Sequence, residues 1–421
     1  MSPTPERVAS IMLSWHSLDL VSCTTLQTLW AGYGHICSIA ARATTDKAAA
    51  YLDELCGMES GAAGTTYPLI LKLISPPRNS RNPGNEDEGH MRKMLSYEVE
   101  QYFYRDVVSL LGDDIAVAKC LASTRDMDGL EKAEELDGLM ATIMTDLRPK
   151  FPVAGGKRSA LNDTQVRAAL DWLAGFHGRS RGLLPDTGSL DEYVLPPLEE
   201  FKRRRSATKC VGSRLWLNGG YTYLATRQKE YASLAQDIDS EWSEAMCRPA
   251  GCSSLSIAEM AALLLTPCGR PMESYIHGDV KSENLFTTTS GDKVAFFDFQ
   301  YVGIGLGVCD LAKLFTCSVP LHMLLDDTVS EPFPECLTMS DGERRLLKQY
   351  RTSLLQDEDS ELYNWELFKR HWETALVDWC RFQASWGFWG NTEWLEARVR
   401  SILRDPEWRD WLRRSISGRH S

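Results

Sequence analysis

The chain has 421 residues, of which 43% are apolar and 25% charged, and its formal net charge is −12. This length suggests two or three domain-sized units, or two lobes of one enzyme, with ample material for a core. The acidic balance argues against a nucleic-acid partner and against an anionic membrane surface, because both favour basic proteins. It is compatible with a cationic substrate, although solubility alone explains an acidic surface equally well.

The cysteines and the N-terminus indicate the compartment. Twelve cysteines are scattered as singles without a C-x-x-C pair, which argues against a zinc site and favours free thiols in a reducing compartment. The N-terminal residues lack the basic start and apolar run of a signal peptide. No stretch approaches the roughly 18 apolar residues of a membrane span. We therefore expect a cytoplasmic protein.

Residues 1–147 are predicted to form a small sheet with one helix. A polar segment rich in Pro, Asn and Gly, at 75–90, is predicted to be a loop. The regular elements are read from runs of β-branched and large apolar residues and from one long helical stretch. In chain order they are strands at 24–30, 36–44 and 67–75, a helix at 91–111, and strands at 115–124 and 138–147.

Residues 148–421 are predicted to be mainly helical. Asp163 is a suitable N-cap for a helix whose apolar positions recur at i, i+4 and i+7. His177 continues this apolar face, which favours a core histidine with a hydrogen-bonded ring over a catalytic one. The segment FKRRRS at 201–206 is predicted to lie in a solvated loop. One hairpin, NLFTTTSGDKVAFFDF at 284–299, interrupts the helices, with SGD as its turn.

The strongest chemical signal is YIHGDVKSENLFTTTSGDKVAFFDFQ at 275–300. Phosphoryl transfer needs a base for the attacking hydroxyl, oxygen ligands for magnesium and cationic groups at the phosphates. Asp279 follows a short apolar strand, where it can accept the hydroxyl proton. Asn284 and Asp298 stand at the two ends of the hairpin, which brings two hard oxygen ligands together for magnesium. Lys281 is placed to contact the transferring phosphoryl group, whereas a plain Asp/Asn-rich turn would leave the paired ligands unexplained.

Nucleotide-binding candidates lie in the N-terminal part. Lys72 is in the middle of an apolar strand, where a lysine needs either an acidic partner or a phosphate. Glu98 and Glu100 compete as the partner, and Glu100 is preferred because its helical neighbours are apolar or aromatic. Gly32 and Gly34, between the first two strands, are candidates for a turn over the ATP phosphates, although an ordinary hairpin also uses such glycines.

These segments resemble a known group of enzymes. HGDVKSEN and FFDFQ are similar to the catalytic and metal-binding segments of aminoglycoside phosphotransferases and choline kinases, closest to the ecdysteroid-kinase-like (CHK-type) branch, where DFQ is usual. Further similar stretches are WLAGFHG, GGYTYLATRQKE, GVCDLAKLF and ALVDWCRFQASWGFWGN. The resemblance implies an α+β, bilobal protein kinase-like fold. It has a small antiparallel-sheet N-lobe (1–147) that clamps ATP and a large, mainly helical C-lobe (148–421) with the catalytic loop, metal site and acceptor pocket.

The resemblance also implies roles for single residues of the catalytic segment. Asp279 is the catalytic base, and Asn284 and Asp298 are the magnesium ligands. His277 and Asp310 support the catalytic loop. Asp310 is equally suited to cap the helix that it precedes, and both roles can hold at once.

Further roles concern the two substrates. Glu100 occupies the glutamate of an E-x-x-F-Y pattern in the similar family, and the adenine is expected to pair with backbone at Thr145 and Leu147. The acceptor pocket is expected between Asp279 and the C-terminal helices. Aromatic candidates for its wall, for most of which core packing is the favoured alternative, are Trp379, Trp386, Phe388 and Trp389.

The sequence therefore predicts an ATP- and Mg²⁺-dependent phosphotransferase acting on the hydroxyl of a small molecule, with no nucleic-acid or membrane partner. A protein kinase is disfavoured, because Gly278 replaces the arginine after His277, Gln300 replaces the glycine of D-F-G, and no A-P-E follows. A catalytically inactive ATP-binding protein is a second alternative. Loss of phosphate from the first product is a third. The acceptor and the oligomeric state stay open.

Overall fold

The computed structural model of the protein describes residues 3–417, apart from 30–31, 77–86, 186, 207–213, 251–252, 326–332, 356–360 and 362. Most of the loop predicted at 75–90 therefore lies outside the described residues. The chain divides into two units. The first comprises Met1–Asp113, Val117–Lys150 and Phe201–Arg214, and the second comprises Asp114–Ala116, Phe151–Glu200 and Leu215–Ser421.

An antiparallel five-stranded sheet, in the order β1-β2-β3-β5-β4, organises the first unit. Its strands are β1 (Leu18–Thr28), β2 (Gly34–Ala43), β3 (Thr66–Ile74), β4 (Cys120–Ser123) and β5 (Met140–Thr145). The strand β3 pairs on both edges, with Lys72 opposite Ile36 of β2 and Thr142 of β5. This central position explains its nearly continuous apolar run LILKLI, because both of its faces are largely buried.

The helices of the first unit correct the expectation of a single helix. They include α1 (Pro5–Ser14), α2 (Asp46–Cys56) and α3 (Glu88–Tyr102), which continues as a π-helical turn. The Thr4 and Thr45 side chains cap the first two helices, and Gly57 ends α2 in the left-handed conformation. These short amphipathic helices pack apolar residues against the sheet, as the shared core of α1, α2 and the strands shows.

The segment 201–206 is helical, which contradicts the predicted loop. It belongs to α5 (Pro197–Ser206), whose residues from Phe201 onward lie in the first unit. Arg204 donates hydrogen bonds from both terminal nitrogens to the Glu98 carboxylate, at 3.0 and 3.3 Å. A charged helix, in which Arg204 is anchored to Glu98, therefore replaces the expected solvated loop.

The second unit is mainly helical and contains two small antiparallel sheets, β10-β7 and β6-β8-β9. Its strands are β6 (Val153–Ala154), β7 (Glu273–Ile276), β8 (Leu285–Thr287), β9 (Val294–Phe296) and β10 (Gly303–Leu306). Its helices are α4 (Asp163–Arg181), α6 (Gln228–Gln236), α7 (Glu241–Cys247), α8 (Ile257–Leu265), α9 (Val308–Cys317), α10 (Leu321–Leu324), α11 (Asp341–Leu355), α12 (Trp365–Trp386), α13 (Thr392–Arg404) and α14 (Pro406–Ile416).

The predicted α+β class is confirmed: an antiparallel sheet dominates the N-terminal part, and helices dominate the remainder. The helix predicted from Asp163 is α4, capped by Asn162. None of the described helices combines the length and apolar character needed to cross a membrane.

Candidate active site

The HGD segment forms a loop between β7 and β8. All four residues of β7 are buried, so the strand anchors the loop in the core of the second unit. The loop closes with a short 3-10 turn, Ser282–Asn284, which leads directly into β8. Asp279 and Asn284 are only 7% and 6% exposed, respectively. Buried polar side chains of this kind need partners, and the loop supplies them.

Asp279, Lys281 and Asn284 contact one another. The Asn284 side-chain amide donates to the carboxylate Oδ2 of Asp279 and to its backbone carbonyl, both at 2.9 Å. Lys281 Nζ lies 3.1 Å from the same Oδ2 and 3.1 Å from Glu283. Burial raises the pKa of Asp279, whereas the neighbouring Lys281 ammonium opposes that rise. The structure thus brings together three of the predicted site residues.

The hairpin β8–β9 places Asp298 next to Asn284. Its register pairs Leu285 with Phe296, and the Phe297 N–H donates to the Asn284 carbonyl at 3.0 Å. Asp298 is the following residue and has a φ of +67°. A non-glycine residue in this conformation costs on the order of 1 kcal/mol or more, and such strain is concentrated at functional sites. Gln300 donates its side-chain amide to Asp298 Oδ1 at 2.6 Å.

Asp310 braces the loop between β7 and β8 through its buried carboxylate. One oxygen accepts the His277 N–H at 2.7 Å, and the other accepts the Gly278 N–H at 2.9 Å. His177 contacts the same carboxylate at 3.1 Å and Tyr350 at 2.8 Å, so its ring is fully engaged, as predicted for a core histidine. Burial by itself would raise the pKa of Asp310, but the hydrogen bond and charge of His177 hold that pKa below its usual value.

His277 connects the loop to the returning strand. Its Nε2 donates to the Phe297 carbonyl at 3.0 Å, while its Nδ1 accepts the Asp279 N–H at 3.2 Å. These bonds require a neutral ring with its proton on Nε2, and complete burial lowers the pKa of His277 accordingly. The expected supporting role of His277 and Asp310 is therefore visible in their contacts. The helix cap before α9 is Gly307, not Asp310.

Gly278 cannot be replaced by a residue with a side chain. Its φ is +83°, and a Cβ there would lie 2.3 Å from the Tyr301 carbonyl oxygen and 2.8 Å from the Gly220 nitrogen. Gly220 itself donates to the Tyr301 carbonyl, at 2.9 Å. The close packing of the Gly219–Gly220 segment on the loop therefore excludes the arginine that protein kinases have at this position.

Removal of the Asp310 brace is expected to destabilise the second unit strongly. Asp310→Ala leaves the buried His277 and Gly278 N–H groups and His177 without their acceptor, which should cost about 3 kcal/mol. The exposed Asp239 offers a control, and Asp239→Ala should be neutral within about 0.5 kcal/mol. Urea unfolding followed by circular dichroism measures both. Equal midpoints for the two variants would contradict the bracing role.

Lys72 and Glu100 form a buried ion pair, with Nζ 2.5 Å from the carboxylate. Their exposed fractions are 8% and 4%. Glu98, the alternative partner, contacts Arg204 instead. The predicted pairing of Lys72 with Glu100 is therefore confirmed, while its role towards ATP stays a prediction.

The remaining nucleotide candidates lie at opposite ends of the strands of the first sheet. Gly34 is needed for packing, because a Cβ there would lie 2.0 Å from the Leu73 carbonyl oxygen, and Gly32 has a φ of +73°. At the end of β5, the Thr145 N–H donates to the backbone carbonyl of Lys119 at 2.9 Å and is thus unavailable to a ligand. The Leu147 carbonyl accepts the Lys150 N–H at 3.1 Å, whereas no described residue accepts its own N–H.

A cavity of about 390 Å³ lies within the second unit beside Asp279 and Lys281. All four aromatic residues predicted for the acceptor pocket line it. Trp379 is buried, but Trp386 is 60% exposed and the other two are partly exposed. Core packing was therefore the wrong preference for those three residues. Other lining residues, which the sequence analysis did not select, include Arg158, Tyr221, Glu283, Lys313 and Cys317.

The sequence matches the phosphotransferase enzyme family APH over residues 92–333, which is more than half of the chain. The protein belongs to this family of phosphotransferases. Comparison with curated proteins found no match.

Solved structures similar to this chain include several small-molecule kinases. A macrolide 2'-phosphotransferase from Brachybacterium faecium is 12% identical, with 96% of this chain and 99% of that chain covered and a TM-score of 0.39. A Plasmodium vivax ethanolamine kinase is 12% identical, with 94% of this chain and 84% of that chain covered and a TM-score of 0.34. A choline kinase from Cryptosporidium parvum is 10% identical, with 96% of this chain and 91% of that chain covered and a TM-score of 0.36. All three TM-scores are below 0.5.

Proposed function

We propose that the protein transfers phosphate from ATP, with magnesium, to a hydroxyl group of a small molecule. One observation carries this proposal: in a chain of a phosphotransferase family, Asp279 is held by Asn284 and Lys281 at the wall of a cavity. The cavity volume of about 390 Å³ is in the range of small-molecule sites.

Asp279 is the proposed base because one of its oxygens is available. Both the Asn284 amide and the Lys281 ammonium contact Oδ2, and no described residue donates to Oδ1. A hydroxyl in the cavity can therefore donate to Oδ1 as it attacks phosphorus. Lys281, which contacts the same carboxylate, is placed to stabilise negative charge on the transferring group.

Asn284 and Asp298 fit the predicted magnesium site. The Asn284 amide nitrogen is committed to Asp279, so its carbonyl oxygen can face a metal. Asp298 directly follows Phe297, whose N–H is bonded to the Asn284 carbonyl across the hairpin, and its backbone is strained. One amide oxygen and one carboxylate are hard ligands that suit magnesium, which completes its coordination with phosphates and water. When bound, the ion would neutralise charge on the phosphates.

ATP is proposed to bind through groups of the first unit. The ammonium of Lys72, oriented by Glu100, is suited to the phosphates. The unengaged N–H of Leu147 is suited to an adenine ring nitrogen, and Thr145 can contribute only its carbonyl. The turn with Gly32 and Gly34 is proposed to approach the phosphates. These roles extend the confirmed ion pair to a function that the family membership supports.

Three finer assignments are also proposed. Membership of the ecdysteroid-kinase-like branch is supported by Gln300 of the DFQ motif, whose amide contacts the predicted metal ligand Asp298. A cytoplasmic location is supported by the ten described cysteines, all of which are free thiols. The acidic chain and a cavity of small-molecule size favour a small-molecule partner over nucleic acid or a membrane.

A phosphorylation screen tests the proposed function. The full chain is incubated with magnesium, γ-labelled ATP and a library of small alcohols, and phosphate esters are identified by mass spectrometry. In Glu100→Gln, loss of the partner that orients Lys72 should reduce kcat/KM for ATP about tenfold or more. The matched variant Glu98→Gln weakens the partly exposed ion pair with Arg204 and should stay within about twofold of the unmodified protein. ATP binding without any product would instead indicate an inactive nucleotide-binding protein.

A further inference from the structure

Lys313 is a buried lysine without a partner in the acceptor cavity. It lies on α9, is 4% exposed and lines the same cavity as Asp279. Its ammonium forms no hydrogen bond or ion pair with any of the residues that the structure describes. By contrast, the buried Lys72 has a carboxylate at 2.5 Å.

The surroundings of Lys313 provide space, and the nearby Asp310 acts on its charge without forming an ion pair with it. A Cβ on Gly220 would lie 3.0 Å from Lys313 Nζ, so the absence of a side chain at Gly220 leaves room for the ammonium. The charge of Lys313 helps to lower the pKa of Asp310, yet both carboxylate oxygens of Asp310 are occupied by His277, Gly278 and His177. Lys281, the other lysine of the cavity, is already paired with two carboxylates.

A buried cation without a partner is unfavourable for folding. Transfer of an ammonium from water costs several kcal/mol unless an anion and hydrogen bonds compensate. The cavity contains three basic residues and two acidic ones, whereas the whole chain is strongly acidic. The local charge is therefore opposite to the net charge. Lys281 is paired with both acidic residues, which leaves the side chains of the exposed Arg158 and the buried Lys313 without a carboxylate partner in the cavity.

We infer that Lys313 binds an anionic group of the acceptor, and that the acceptor is a small alcohol with an apolar or aromatic body and a carboxylate. The part of this inference that makes the bound molecule the phosphate acceptor rests on the proposed function. Trp379, Trp389 and Tyr221 supply flat apolar walls for the body of the molecule. The ammonium provides a point charge that a carboxylate matches, while the hydroxyl reaches Asp279.

Thermal unfolding of Lys313→Met tests the unpaired charge without any ligand. Removal of an uncompensated buried cation should raise Tm by about 2 °C or more. Lys229→Met, at an exposed position of α6, should leave Tm unchanged. A lysine that merely supports the fold predicts the opposite sign, because its removal would lower Tm.

Binding of matched probes tests the anion site. Calorimetry on the full chain with magnesium and a non-hydrolysable ATP analogue compares 4-(hydroxymethyl)benzoate, its methyl ester and 4-(hydroxymethyl)benzylamine. The carboxylate should bind at least about tenfold more tightly than the ester and the amine, which corresponds to about 1.4 kcal/mol. Lys313→Met should abolish this difference, whereas Lys229→Met should preserve it.

The outcomes separate this inference from the proposed function. Lys313-dependent binding of the carboxylate without any phosphate ester would support the anion site and count against phosphoryl transfer. Phosphorylation of the ester or amine with no effect of Lys313→Met would support phosphoryl transfer and count against the anion site. The inference is overturned if no carboxylate binds in a Lys313-dependent manner, or if Lys313→Met weakens ATP binding, since the lysine would then serve the nucleotide.

Discussion

Replacement of Asp298 by asparagine is expected to lower kcat by about a thousandfold, because roughly 4 kcal/mol of charge stabilisation depends on its carboxylate. Asparagine has nearly the same shape and tolerates the left-handed backbone at this position, where φ is +67°. It can also accept the hydrogen bond from Gln300. The change therefore removes the negative charge of the proposed metal ligand while keeping its shape. Asp298→Ala should abolish turnover as well, but it adds backbone strain of about 1 kcal/mol.

The control for this variant lies in the same hairpin. Asp292 is exposed in the turn, and Asp292→Asn should retain normal turnover. Phosphate ester formation at ordinary magnesium concentrations and circular dichroism are measured for both variants. Normal activity of Asp298→Asn at those concentrations would remove Asp298 from the metal site, and loss of its fold would make Asp298 a structural residue.

The local part of the site was predictable from the sequence. Asn284 and Asp298 meet because each strand of the hairpin is three residues long and the turn between them is local. The pairing of Lys72 with Glu100 could be predicted for a different reason. A lysine inside an apolar strand and a glutamate on an apolar helix stripe each need a buried partner, and these two satisfy each other.

The remainder depends on packing between distant segments. The cavity joins Tyr221, Asp279, Lys313 and the end of α12, and no spacing rule relates these positions. A signal for Lys313 was nevertheless present, because it lies in the apolar run DLAKLF, as Lys72 lies in LILKLI. The two unpredicted helices also had readable signals. Threonine caps and a terminal glycine mark α1 and α2, but the prediction treats the segments between the strand-like runs as turns or polar connections.

Replacement of Asp279 by asparagine is expected to lower kcat by about 10²–10⁴-fold and to change the affinity for magnesium-ATP by less than about twofold. The amide keeps an oxygen that can accept the Asn284 hydrogen bond, so the loop should retain its shape. It cannot take the proton of the acceptor hydroxyl. Product formation is measured by mass spectrometry and nucleotide affinity by calorimetry.

Glu283→Gln is the matched control for the altered charge around Lys281. Both Asp279 and Glu283 lie 3.1 Å from Lys281 Nζ, but only Asp279 is held by the Asn284 amide. If Lys281 pairing alone mattered, the two variants would be equally slow. If Asp279 is the base, Glu283→Gln should stay within about tenfold of the unmodified protein while Asp279→Asn falls far below it.

Unchanged turnover in Asp279→Asn would exclude Asp279 as the base, and loss of ATP binding in this variant would move Asp279 into the metal site. A slow enzyme that still saturates with ATP is the result that the contacts of Asp279 predict.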